Sequence, residues 1–123
     1  MVAMHYDPPD TGDLEADLTT ALTQLKTRLT KRKVRPIFAA LVEYANKDKA
    51  FVAAQRKFVE GLVQPTLEVL QQAQERGDLQ QEIDCVVLAN TAAGTLLHQY
   101  LVMHGSIKDD LIDSAVSNTI DFE

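Results

Sequence analysis

Leu14, Leu18, Leu22, Leu25 and Leu29 recur every three or four residues, which places them on one face of a helix. Asp13 is positioned to cap that helix. Glu15 and Asp17 lie in its first turn, and Lys26, Arg28, Lys31 and Arg32 lie near its end, so both sets complement the helix dipole. Pro36 suits the first position of a short second helix to about Asn46, with Ile37, Phe38, Leu41, Tyr44 and Ala45 as its apolar members. Asp48 is a cap for a third and longest helix, over about 49–76. Its stripe of Phe51, Val52, Phe58, Val59, Leu62, Val63, Leu67, Leu70 and Ala73 is too broad for a single neighbour. Pro65 removes one backbone donor from this helix and crowds the carbonyl of Gly61, so a bend is predicted between them. That bend is either a tolerated kink or a device that opens space for a ligand.

Gly77 follows Arg76 and can take the left-handed conformation that closes a helix, leaving Asp78 and Leu79 to turn the chain. Asp84 then caps a fourth helix over about 85–104, with Gly105 ending it. Val86, Ala89, Ala93, Leu96, Tyr100 and Met103 form one face at core spacing. Val87, Thr91, Gly94, His98 and Leu101 form a second face, small and partly polar. Such a helix is predicted to be sandwiched, with its own core on one side and something else on the other. Asp109 caps a last helix carrying Leu111, Ile112, Ala115, Val116, Thr119 and Ile120. Residues 1–12 read as an irregular arm because Pro8-Pro9 blocks helix and Gly12 adds freedom, which leaves 13–123 as one domain.

Composition agrees with an all-α domain: the 123 residues are 46% hydrophobic and only 6% aromatic, and strand-type alternation is scarce. The net charge of −6 makes the chain a poor grip for phosphate, so no nucleic-acid contact is expected of it. Six of its twelve basic residues, Lys26, Arg28, Lys31, Arg32, Lys33 and Arg35, crowd one ten-residue window without an acid. No aromatic residue is interleaved, and the run spans a helix end and a turn, as a solvated terminus does. Cys85 is the only cysteine, so there is no intrachain disulfide and a reducing setting fits. The start "MVAMHYDPPDTGD" has no cationic, apolar signal pattern, and no stretch approaches the ~18 apolar residues of a membrane span. A cytoplasmic protein is expected, without a membrane partner.

Catalytic chemistry has little to stand on. None of His5, His98 and His104 lies three or four residues from a metal-ligating acid or thiol. His98 is either a hydrogen-bonded, partly buried histidine or a polar contact in a seam or with a ligand. Cys85 starts a helix beside Asp84; the dipole there could lower its pKa, and the other reading is an inert, packed thiol. There is no nucleophile elbow or glycine-rich phosphate loop, and no enzyme, cofactor or metal site is expected.

The order of the pieces carries more. "PPDTGDLEADL", "AALVEYANKDKAFVAAQRKF" and "LEVLQQAQERGDLQQEIDCVVLANTAAGTLLHQYL" together resemble the C-terminal effector domain of TetR-family transcriptional regulators. Ala73, Arg76, Gly77 and Leu79 match that family's "A-x-x-R-G-x-L" turn, and Asp84 and Gly94 its capped helix with a small midpoint. The resemblance implies an antiparallel bundle of about five helices that binds a small effector in its core. It also implies a homodimer, in which the last two long helices form a four-helix bundle with their mates. The family's helix-turn-helix domain has no counterpart before residue 13, so the chain is expected to be a fragment of a longer regulator or a product without a DNA reader.

Expected around the ligand are Phe38, Leu41, Tyr44, Phe58, Leu62, Ala93, Leu96 and Tyr100, an apolar wall in which the tyrosines, with His98, supply the polar groups. With no buried cation evident in the sequence, a neutral or weakly polar hydrophobic effector is expected. The dimer seam is expected to use Val87, Thr91, Gly94, His98, Leu101, Ile112, Val116 and Ile120, with Gly94 permitting close helix approach. The competing reading is a helical interaction module that neither senses a ligand nor binds DNA.

Overall fold

The structure, a computed structural model, describes residues 8–120. The first seven residues of the expected arm, His5 among them, and the Phe122-Glu123 terminus lie outside the described residues. The fold is an all-α bundle of five α-helices, without strands among the described residues. They are α1 (Leu14–Leu29), α2 (Val34–Lys47), α3 (Ala50–Arg76), α4 (Cys85–Leu97) and α5 (Asp109–Ile120); a π-helical segment, His98–Val102, continues α4.

α1 lies against α3, α4 and α5. Its leucine stripe explains why: Leu18, Leu22, Leu25 and Leu29 are each at most 2% exposed. Each such burial contributes about 1.5–3 kcal/mol. Asp13 caps the helix by accepting from the Ala16 amide. One turn on, Asp17 is buried, and its carboxylate accepts from the Thr11 amide at 3.0 Å and hydroxyl at 2.6 Å. Charge-assisted bonds of this kind make the burial tolerable. They also pin the end of the arm, and Arg76 reaches Asp10 from the far end of α3 at 3.5 Å.

Three helix boundaries differ from expectation in detail. α2 begins at Val34, so Pro36 is its third residue; the missing N–H is still among the four that a helix start leaves unbonded. α3 begins at Ala50, and the Asp48 carboxylate accepts from the Ala50 amide at 2.9 Å. Asp109 sits in the first turn of α5 rather than ahead of it. α3 runs unbroken through Pro65. It ends at Gly77, whose φ of +88° is left-handed, with the Asp78 amide on the Ala73 carbonyl and the Gly77 amide on Gln74.

Two expected packing faces are corrected. No residue of α3 before Leu62 is fully buried, so Phe51 and Val52, each 39% exposed, are not core. The buried face of α4 is Cys85, Leu88, Ala89, Ala92, Ala93 and Leu96, while Val86 and Met103 are 52% and 61% exposed. Val86, in the first turn of α4, faces away from the core, and the π segment explains the part of the second shift at the helix end. Its i→i+5 bond, Met103 amide to His98 carbonyl at 2.9 Å, widens the turn and rotates the following residues. Leu101 therefore swings inward to 7% exposure and Met103 swings out. The segment ends at Val102, and the left-handed residue that follows is His104, at φ +55°, not Gly105. The Gly105 amide bonds the Gln99 carbonyl at 2.8 Å, and a Cβ on Gly105 would collide with the Gln99 amide.

Cys85–Val102 does reach the length and mean hydropathy, 1.2, of a membrane span, contrary to the sequence expectation. It is the core helix of the bundle, packed on α1, α3 and α5.

Candidate functional site

α2 is held differently from the other helices. It carries a long apolar stripe, yet no residue on it is fully buried. Val34, Ile37, Phe38, Leu41, Val42 and Ala45 are all half-buried. From the first turn of this face, Arg35 crosses to the π segment. Its guanidinium carbon lies 4.1 Å from the centroid of the Tyr100 ring, and Nη2 donates to the Tyr100 carbonyl at 3.2 Å. That carbonyl is passed over by the helix end, where the Met103 amide bonds His98 and the Gly105 amide bonds Gln99. Arg35 Nε is buried without a hydrogen-bond partner. The sequence placed Arg35 in a solvated basic run. It is instead half-buried against an aromatic ring, a placement that the run concealed. The only sequence signal was its position one helical turn before Phe38, at the head of an apolar stripe.

The eight expected pocket residues divide by depth. Leu62, Ala93 and Leu96 are buried in the common core. Phe38, Phe58 and Tyr100 are half-buried against it, and Leu41 is half-buried. Tyr44 stands outside: it is 54% exposed, and its ring pairs with Phe51 at 5.2 Å across the α2–α3 turn. It therefore does not supply a hydroxyl to an apolar interior. Two grooves are open elsewhere. One of ≈ 860 Å³ is lined by Val52, Arg56, Val59 and Glu60 of α3 with Val86 and Asn90 of α4. One of ≈ 240 Å³ lies between α1 and α5, at Glu15, Thr19, Asp113 and Ser117. Neither includes any of the eight.

The expected seam residues also divide. Val87 is 58% exposed, Thr91 and His98 are exposed, and Gly94 is half-buried with no atom within 4 Å of where a Cβ would stand. Leu101, Ile112 and Val116 are buried in the protomer itself, leaving almost no side-chain surface for a second chain, and Ile120 is half-buried. For Ile112 and Val116 the physical reason is that α5 turns its apolar face onto α1 and α4 and presents Asp110, Asp113, Ser114 and Ser117 to the outside.

The model of the tetracyclin repressor-like C-terminal domain matches residues 8–119. The chain belongs to this family. A search of the curated proteins finds no match. Tetracyclin repressor-like C-terminal domains are regulatory, non-enzymatic units that generally dimerise and bind small-molecule effectors.

In this TetR-like domain the remaining reactive groups are quiet. Cys85 is buried; burial first, and the Asp84 carboxylate second, raise its thiol pKa above the ordinary 9.0. The thiolate that a dipole-activated nucleophile would need is disfavoured. No group of three His, Cys, Asp or Glu side chains comes together among the described residues.

Proposed function

We propose that this chain is the effector-sensing and dimerisation domain of a cytoplasmic TetR-type regulator, and that it governs DNA binding by a separate helix-turn-helix domain. The observation that carries this reading is the double face of α4. One side of that helix is core; the other exposes Val86, Val87 and Thr91, continuing through the π segment with His98 and Val102 to Met103. Exposed apolar side chains aligned on one helix favour a second helix over water. The seam is led by α4, since the outward face of α5 is polar and acidic. The half-closed apolar face of α2 supports the sensing half of the proposal. An effector there biases the packing of α2 against the end of α4, and with it the spacing of the two DNA-reading heads.

Light scattering at tens of micromolar tests the dimer, with an expected mass of twice 13.6 kDa. Gly94→Leu should shift that mass to the monomer without unfolding the chain, because the protomer has open space at Gly94. A monomeric wild type would sink the dimer. A dimer that no small molecule stabilises in a thermal-shift screen would leave the plain interaction module as the better reading.

A further inference from the structure

We infer that Arg35 is the polar reader of the effector site, and that the effector it selects carries a carboxylate on an apolar body. The inference rests on the sensing role proposed above and names the ligand class. It departs from the neutral effector that the sequence favoured, because the sequence did not reveal a half-buried cation.

A guanidinium is a planar fork of five N–H donors that stays charged at any physiological pH. At Arg35 the guanidinium carbon lies over the Tyr100 ring, and Nη2 donates to the Tyr100 carbonyl. Nε is buried and unbonded, and no carboxylate lies within ion-pair distance of Arg35 among the described residues. A buried donor on a cation with no anion beside it is unfavourable; once the guanidinium swings out from its cover, a side-on carboxylate, accepting from Nε and a neighbouring terminal N–H, meets both needs. The face that runs on from Arg35 is Phe38, Leu41 and Val42, which suits an apolar body joined to a single carboxylate. The same residues, half-buried in the protein alone, supply surface for the ligand's apolar body to cover. A carboxylate that draws the guanidinium away from the Tyr100 carbonyl also acts on the end of the helix that bears the proposed seam.

The test uses the full chain with decanoate and 2-naphthoate, each against its methyl ester, by titration calorimetry on wild type, Arg35→Gln and Arg35→Lys. Wild type should bind the acids at least about tenfold more tightly than the esters, as expected for a charge-assisted bidentate contact. Arg35→Gln should erase that preference and leave ester binding in place; Arg35→Lys should restore part of it. Esters that bind as tightly as acids, or an acid preference that survives Arg35→Gln, would overturn the inference and leave the sensing role standing. Failure of all four probes to bind wild type would count against both. Should Arg35→Gln not fold, the Nε–H resonance of Arg35 in wild type decides: it should move on adding acid and not ester, and immobility with acid overturns the inference.

Discussion

Arg28, on α1, donates through Nη2 to the carbonyl of Gly61 on α3 at 3.1 Å, where Pro65 leaves that carbonyl without its helical donor. An arginine thus mends the gap that a proline makes, and α3 stays continuous. Because the bond is solvent-exposed, Arg28→Gln should cost only about 0.5–1.5 kcal/mol in chemical denaturation. In a Pro65→Ala background the helix can close its own bond to Gly61, so the same substitution should cost distinctly less. Equal costs in the two backgrounds would show that Arg28 acts through something other than this carbonyl.

Gly77 closes α3 at φ +88° with no neighbour near the place of a Cβ. The cost of a side chain there is conformational rather than steric. Gly77→Ala should destabilise by about 1 kcal/mol, and Gly77→Asn, which tolerates the left-handed region, by less. Thermal melts of the two variants that rank them the other way would contradict this account.

The parts legible in the sequence are those that local chemistry fixes. The leucine register of α1, the capping carboxylates of Asp13 and Asp84, and the Gly77 stop each need only neighbouring residues, and each is where the pattern puts it. The rest depends on long-range packing. "LHQYL" contains nothing that marks a π turn, so the rotation that takes Leu101 in and Met103 out was invisible. Apolar spacing on α5 signalled a face without saying whether its own chain or a partner's covers it; Ile112 and Val116 meet their own core. Arg35 looked like one charge among six, and only the approach of α2 to Tyr100 separates it from the others.

Cys85 makes a prediction about pH. Its thiol pKa is raised in the folded chain, by burial first and Asp84 second, so the folded state holds the proton more tightly than the unfolded one. Its contribution to stability is fully present below the unfolded thiol's ordinary pKa of 9.0 and is lost as pH rises through the raised folded value. Denaturation midpoints of wild type should therefore fall more steeply above that pH than those of Cys85→Ala. A thiol reagent at neutral pH should label the native protein far more slowly than the unfolded chain. Equal labelling rates would remove the packed-thiol account.

The last prediction separates core from candidate lining. Leu70 on α3 is 0% exposed, so Leu70→Ala should cost about 2–5 kcal/mol. Phe58, on the same helix, is only half-buried against the core. The ring already meets solvent on one side, so removing it leaves an open recess rather than a closed void. Phe58→Ala should therefore cost distinctly less than the about 3–5 kcal/mol typical of a fully buried phenylalanine. Its effect should fall on ligand-induced stabilisation: the shift in melting temperature produced by decanoate should shrink in Phe58→Ala and persist in a Leu70→Val control. Should Phe58→Ala lose as much stability as Leu70→Ala while the decanoate shift is unchanged, Phe58 belongs to a solid core, and the apolar wall of the effector site lies elsewhere.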